Sequence, residues 1–446
     1  MVSFNFLREH PRALDLSDCG TGKTRVEIEE IRQSKDHGKT LVLAPKSILR
    51  PAWGEDLDAF APELAYSIAY AERRKAAFEA KADVYLTNHD AATWLAQQPP
   101  SFFRGFNRLV VDESTAYKHH NSQRSKAVRK IAKYFPVRRA LTATPNTNSI
   151  TDIWHQALIV DDGKRLGTSF FHFRSSVCQP VQVGPMPNMV RWDARPGAEE
   201  AVTALLSDIV IRHKLEECTD IPENFEYTRA YTLNPANMAA YREMEKQAIL
   251  EISATEYVDA VNGAVLYNKL MQIASGAVYT TSEQYALLDH DRAEFVMDLV
   301  EERPQVVVFF NWVHQRDTLI AEAKRRNLAF GVIDGSISSV QKKNTLVQDF
   351  QNGLYRVLFI HPQSGAHGLT LTAATRTIWA SPTYNLEHYH QGVKRIHRAG
   401  QREVTETLVV VAKDTVDEDV FAKCKAKQAR MNDLLQSLKE SAYGHA

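Results

Sequence analysis

Asp18-Cys19-Gly20-Thr21-Gly22-Lys23-Thr24 follows the apolar run Ala13–Leu16 and opens a stretch, Thr24–Lys35, with helical spacing. Strand, glycine turn and helix in that order form the setting that a phosphate-binding loop requires. Gly20 and Gly22 permit backbone angles that turn amide N–H groups inward, and the helix N-terminus adds positive potential. Thr21 lies between them in the cofactor-binding run. Lys23 is placed to reach the β- and γ-phosphates of a nucleotide, and the Thr24 hydroxyl to ligate Mg²⁺. Only the GxGKT half of the usual pattern is present, since its first glycine would fall at Leu16 or Ser17. Taken alone, the same residues also read as an ordinary glycine turn.

Working outward, short apolar runs recur at Thr40–Leu43, Val84–Thr87, Leu109–Val111 and Ala140–Leu141. Helical stretches such as Gln123–Tyr134 lie between them, an alternation that predicts parallel βαβ units. Residues from about 150 to 280 read as mostly helical, with polar breaks at Gly184–Asn188 and Asp220–Glu226. The alternation returns with strands expected at Val306–Phe310, Gly331–Ile333, Val357–Ile360, Thr377–Ala380 and Leu408–Val411. The expected fold class is α/β, with two parallel-sheet lobes and helical insertions between them. The expected boundaries are 1–165 for the first lobe, 166–285 for a helical inter-lobe region, and 286–446 for the second lobe with a C-terminal helix.

Composition bounds the rest. At about 100–200 residues per domain, 446 residues should form two to four compact units. Hydrophobic residues at 44% and charged residues at 24% suit a soluble globular protein and argue against disorder. No stretch approaches the roughly 20 apolar residues that span a bilayer, so no membrane partner is expected. The N-terminus lacks the apolar core and cleavage site of a secretory signal. Cys19, Cys178, Cys218 and Cys424 have no metal-ligand spacing and read as free thiols in a reducing, cytoplasmic setting. With 54 basic and 54 acidic residues, any nucleic acid must be held by a local basic face.

Leu109-Val110-Val111-Asp112-Glu113 is a buried strand ending in two acids. Asp112 suits holding Mg²⁺ through water, and Glu113 suits polarising an attacking water. A strand that simply ends in solvated acids is the alternative, disfavoured by the phosphate loop about ninety residues upstream. In Leu141-Thr142-Ala143-Thr144-Pro145 the hydroxyls could sense a γ-phosphate; a turn with a proline stop explains that segment equally well. In Gln391-Gly-Val-Lys-Arg395-Ile-His397-Arg398-Ala-Gly400-Gln401, two arginines at i and i+3 share one helix face. Arg395 and Arg398 are candidate arginine fingers for a nucleotide bound by the other lobe. The alternative is a solvated basic helix.

Together these segments resemble the superfamily 2 helicases. Gln391–Gln401, close to QxxxRxHRxGQ, narrows the resemblance to the Swi/Snf branch of DNA translocases. Weaker stretches agree in the same order: Leu86–Asp90, Val210–Lys214 followed by Ile221-Pro222, Leu270–Ile273, Ile333–Ser336, Ser364–Leu371, and Thr415–Glu418 with Lys423 beyond. The match runs collinearly from about Ala13 to Lys427. The resemblance implies two RecA-like lobes, ATP and Mg²⁺ as cofactors, and Gln391 and Gly365 at the nucleotide. It also implies a nucleic-acid track along Pro45-Lys46, Thr87-Asn88, Asn311-Trp312 and Gly368–Thr370, gripping the backbone without reading bases. Double-stranded DNA is the expected partner, with single-stranded DNA or RNA left open.

The sequence departs from that pattern in places. Thr115 stands where the family often has histidine, and no glutamine precedes Gln33, so no residue is assigned to read the adenine. Phe4, Phe6 and Arg8 are candidates to stack on it. Leu386 replaces a proline, while Tyr384-Asn385 keep the family's aromatic and amide. Lys126, Arg129, Lys130 and Lys133 form one basic helix face, more often a solvated face than a DNA contact. His119-His120, His388 and His390 show no metal spacing.

The resulting expectation is a DNA-stimulated ATPase that tracks along duplex DNA in replication, recombination or repair. A strand-separating DNA or RNA helicase is the enzymatic alternative, and a nucleotide-gated clamp on DNA or protein the non-enzymatic one. Lys23, Thr24, Glu113 and Arg398 together weigh against the clamp. The compact chain suits a bacterium or a bacteriophage acting in its host's cytoplasm; no protein partner is legible and a monomer suffices.

Overall fold

The structure is a computed structural model that describes residues 2–34, 38–183, 189–254, 260–279, 284–337, 339–365 and 369–443. The chain divides into two units, Met1–Asp220 with Gln428–Ala446, and Ile221–Lys427.

The first unit holds β1 (Arg12–Asp15), β2 (Lys39–Ala44), β3 (Tyr66–Ala69), β4 (Val84–Asn88), β5 (Phe106–Asp112) and β6 (Val137–Leu141). A separate antiparallel hairpin follows, β7 (Cys178–Gln182) with β8 (Val190–Ala194), and then β9 (Val210–Ile211). Seven of these strands form one parallel sheet in the order β3-β4-β2-β5-β6-β1-β9. Successive side chains of a strand point to opposite faces. Leu41, Leu43, Leu109 and Val111 accordingly pack with Val128 and Ile131 on one face. Val42, Ala44 and Val110 pack with Ile28, Trp53 and Leu57 on the other. Burial on both faces is why these strands read as continuous apolar runs.

The second unit holds β10 (Asn224–Tyr231), the hairpin β11 (Ala277–Tyr279) and β12 (Tyr285–Leu287), then β13 (Val306–Phe309), β14 (Phe330–Ile333), β15 (Val357–Ile360), β16 (Arg376–Trp379) and β17 (Thr405–Ala412). Its parallel sheet runs β10-β17-β16-β13-β15-β14. The protein is thus α/β with two parallel-sheet units.

The middle of the chain differs from its expected, mostly helical character. It contributes an edge strand to each sheet, β9 beside β1 and β10 beside β17, as well as two hairpins. Both strands escaped notice for physical reasons. β9 is two residues long, and β10 lies at an edge with polar residues exposed among its apolar ones and begins within what reads as a polar break. The other expected break, Gly184–Asn188, lies outside the described residues. The first unit also runs on to Asp220 and regains the chain at Gln428, rather than ending near 165. Within that unit Lys439 pairs with Glu217. Among the described residues no helix is long and apolar enough to cross a membrane, and the four cysteines are free thiols.

Two buried histidines make stability pH-dependent. His155 in the first unit and His314 in the second are both held down to about 4 by burial; His314 also bonds the Ser275 hydroxyl at 2.9 Å. Each is neutral when folded and titrates near its ordinary value when unfolded. Stability is therefore fully present above pH ~6.5 and is lost as pH falls towards about 4, by on the order of 2–3 kcal/mol per histidine. Urea midpoints measured at pH 8, 6 and 4.5 should decline in that order, and His314→Gln should flatten the decline for the second unit.

Candidate functional site

In a parallel sheet all the strands present their C-terminal ends at one edge, where open α/β folds bind ligands. The registers Asp15 with Leu141 and Asp112 with Leu141 bring the ends of β1, β6 and β5 level. The glycine loop Asp18–Thr24, the two acids and the threonine turn leave those three ends.

The loop takes the shape its glycines allow. Gly20 (φ 87°) and Gly22 (φ 85°) are left-handed, and Gly22 caps the helix Lys23–Gln33. The Thr21 hydroxyl donates to the Asp18 carbonyl at 2.8 Å. Lys23 Nζ donates to the carbonyls of Ser17 (2.6 Å) and Asp18 (2.9 Å). Burial works to lower the lysine's pKa, but Cys19, Asp15, Glu113 and Asp112 more than offset it, so the ammonium is held charged. Thr24, the second helical residue, is partly exposed.

The sequence noted Arg212 only as part of a weak resemblance. In the fold it buttresses the loop. Arg212 forms an ion pair with Asp18 at 3.0 Å and donates to the Leu16 carbonyl at 2.8 Å. Next to it, the His213 and Leu215 amides donate to Ser17 Oγ and Asp18 Oδ2. Nothing local could reveal this, because β9 meets β1 only through the sheet order.

Asp112 ends β5 fully enclosed. Burial, reinforced by Glu113, pushes its carboxyl up to about 6, against the pull of the Trp53 indole and Lys23. Its Oδ1 accepts the Glu113 amide at 2.9 Å and its Oδ2 the Trp53 indole N–H at 2.9 Å. Glu113 adopts φ 50°, ψ 54°. A left-handed non-glycine residue costs roughly 1–2 kcal/mol, and such strain collects at functional sites.

Thr115 does what a hydroxyl can in place of an imidazole. Its Oγ1 lies 2.8 Å from Thr142 Oγ1 and donates to the Thr144 carbonyl at 3.0 Å. The Thr144 amide donates to Thr142 Oγ1 at 3.1 Å, and the Thr144 hydroxyl is buried without a partner among the described residues. The acidic strand end and the threonine turn are thereby one network. Thr115→Val should cost about 1–3 kcal/mol by leaving buried polar groups unpaired. In a double-mutant cycle with Thr142→Val, followed by thermal unfolding, the two losses should not add.

The remaining positions in the first unit divide by burial. Pro45 precedes the short helix Lys46–Ile48, and Lys46 is exposed with its ammonium 4.4 Å from the Tyr70 ring centre. Thr87 is fully buried and its hydroxyl donates to the Ala69 carbonyl; Asn88 is buried and donates to Asp90 at 3.2 Å. Lys126, Arg129, Lys130 and Lys133 are exposed, with Lys130 reaching the Ala96 carbonyl at 2.7 Å. Phe6 stacks on His10 and Arg8 lies over Phe4, so these N-terminal side chains engage one another. His120 stacks on Phe170, and no metal-binding cluster of His, Cys, Asp or Glu occurs among the described residues.

In the second unit, Asn311 Nδ2 donates to Ser381 Oγ (3.0 Å) and the Pro382 carbonyl (2.9 Å), joining the ends of β13 and β16. Trp312 caps the helix Val313–Arg325 and is half-buried. Gly368 lies outside the described residues; Thr370 is half-buried. A Cβ on Gly365 would come within 2.2 Å of Ile360 Cγ2, so only glycine fits there. Arg395 is buried, donating to the carbonyls of Gln391 (2.8 Å) and Leu369 (3.3 Å), while half-buried Arg398 donates to the Leu369 carbonyl at 3.0 Å. The Gln391 amide is buried with neither end partnered among the described residues. Gln401 clamps the turn through the carbonyls of Thr372 and Ala374, both at 3.1 Å. The arginines thus sit together, and the pattern's last glutamine is structural.

The family model of the SNF2-related domain matches residues 16–275, and that of the helicase conserved C-terminal domain matches residues 291–400. Protein p41 of Acyrthosiphon pisum secondary endosymbiont phage 1 is 29% identical over 460 residues, spanning 98% of this chain and 96% of that protein. The DNA annealing helicase and endonuclease ZRANB3 of Mus musculus is 24% identical over 97% of this chain. The uncharacterized ATP-dependent helicase MG018 of Mycoplasma genitalium is 23% identical over 92% of it. The chain spans 40% and 39% of the lengths of those two proteins. Among solved structures, the Sulfolobus solfataricus SWI2/SNF2 ATPase core in complex with dsDNA aligns with 99% of this chain and 92% of its own, at 20% identity and a TM-score of 0.44.

Proposed function

This chain belongs to the SNF2-related family, a family of ATP-dependent helicases and translocases, and from that premise we propose that it hydrolyses ATP to move along double-stranded DNA. The observation that carries the proposal is the convergence of the phosphate loop, Asp112-Glu113 and the threonine turn at one sheet edge. Gly20, Thr21 and Gly22 turn amides towards the phosphates, and Lys23 neutralises their charge. Thr24 and Asp112 offer oxygen donors only, which suits Mg²⁺; when bound, that ion screens the phosphate charge. Glu113 takes the proton of the attacking water. Arg395 and Arg398 stabilise the charge on the transferred phosphoryl group, with Gln391 and Gly365 shaping their surroundings.

Duplex DNA is the proposed partner, supported by the family and by the DNA-directed name of ZRANB3. Lys46 and Thr370 would meet the backbone directly, as would Pro45, Trp312 and Gly368. Buried Thr87, Asn88 and half-buried Asn311 would hold the strand ends that present those contacts. The phage relative, matched almost end to end, favours work on phage or bacterial DNA, and replication, recombination or repair is the setting we propose for it.

The test is steady-state ATP hydrolysis without nucleic acid and with duplex DNA, single-stranded DNA or structured RNA. Stimulation greatest with duplex, and absent in Lys23→Ala, is the expected result. Stimulation by single strands or RNA alone would replace translocation with strand separation. ATP binding without turnover on any of them would leave a nucleotide-gated clamp.

A further inference from the structure

The segment that follows β2 is a continuous run of helical turns. It starts at Pro45, passes through the short helix Lys46–Ile48 and the wide π turn Leu49–Gly54, and ends in the helix Glu55–Phe60. Isolated π turns are uncommon and are frequent at functional sites. Here the turn drives Trp53 wholly into the core, against Ile28 of the helix that follows the phosphate loop and against Val110 of β5. Its indole N–H, a donor with no acceptor role, bonds Asp112 Oδ2 at 2.9 Å across 59 residues of sequence.

A buried tryptophan needs some partner for that N–H, and a backbone carbonyl would satisfy it as well. The partner found instead is a carboxylate that burial disfavours as an ion and that must be ionised to act. With the Glu113 amide on Oδ1, the two donors fix the plane of the carboxylate and leave one lone pair on each oxygen. Outer-shell donors of this sort orient metal-binding carboxylates. Exposed Lys46 stands at the start of the same run of turns, seven residues before Trp53.

We propose that Trp53 is a positioning residue that aims Asp112 for the nucleotide-bound metal, and that DNA docking at Pro45-Lys46 acts on the metal site through it. This rests on the ATPase reading above. Pressure on the first turn of the rod shifts Trp53, and the indole carries that shift to Asp112 Oδ2, so duplex stimulation and metal affinity are two readouts of one bond.

Trp53→Phe removes the donor and keeps most of the bulk. Mn²⁺ binding to the protein with ADP, followed by electron paramagnetic resonance, should weaken about 10- to 100-fold. The ratio of duplex-stimulated to basal hydrolysis should fall towards one. Leu57→Ala, which loosens the same core without touching Asp112, should keep wild-type Mn²⁺ affinity. Wild-type Mn²⁺ affinity in Trp53→Phe, or equal weakening in both variants, overturns the proposal. Retained affinity loss with an unchanged stimulation ratio overturns the DNA link and leaves the positioning role. A wild-type protein that hydrolyses no ATP with any nucleic acid sinks the ATPase reading instead, and the Mn²⁺ titration still decides whether Trp53 orients Asp112.

Discussion

Lys23→Ala is expected to reduce ATP hydrolysis by about 10²–10³-fold, with or without DNA, while the protein stays folded. The magnitude follows from the loss of a preorganised cationic donor to the developing phosphate charge, where removing a single such donor costs about 10²–10³-fold. The structure explains why folding should survive. Lys23 Nζ rests on two carbonyls of its own loop, Ser17 and Asp18, and these can turn to water once it is gone. It also explains why the lysine is available to a ligand. A phosphate oxygen offers a charge-assisted bond roughly twice as strong as one to a neutral carbonyl, so nucleotide can draw the ammonium off its resting partners. Phosphate release measured beside a thermal melt checks both halves. Hydrolysis within tenfold of wild type would remove Lys23 from the mechanism.

Arg398→Ala is expected to lower kcat by about 10³–10⁵-fold, the range of an arginine finger, with little change in the affinity for ATP. The two arginines are not equivalent in the fold. Arg395 is buried and bonded to the carbonyls of Gln391 and Leu369, so its removal should also destabilise the second unit. Arg398 is half-buried and donates to the same Leu369 carbonyl. A selective kcat effect is therefore the signature to seek at Arg398, and a loss of thermal stability alongside kcat the signature at Arg395. Single-turnover hydrolysis and equilibrium binding of a fluorescent ATP analogue separate these outcomes. A purely KM effect at Arg398 would assign it to binding and not to the chemical step.

The parts that could be read along the chain are those whose chemistry is local. GTGKT after an apolar run, Leu109–Glu113, and Arg395 with Arg398 each form a pattern complete within a dozen residues, and the central strands betray themselves because burial on both faces leaves only apolar side chains. Among the strands of the two parallel sheets, those that escaped, β3, β9 and β10, lie at sheet edges, where short or partly polar segments suffice. Thr115 shows the limit of reading by pattern. By pattern it is only a departure from the family's histidine, and the fold shows its hydroxyl joining Thr142 and Thr144.

Local order in the chain was thus enough to specify two parallel sheets, a glycine loop at the end of β1 and a pair of acids at the end of β5. What residues those groups lean on was decided by the tertiary structure alone. Sheet order sets β9 beside β1 and so brings Arg212 to Asp18, and one π turn drops Trp53 onto Asp112. The physical reason is that a strand's neighbours in a sheet are chosen by burial and hydrogen bonding summed over the whole unit, a sum to which no single stretch of sequence holds the terms.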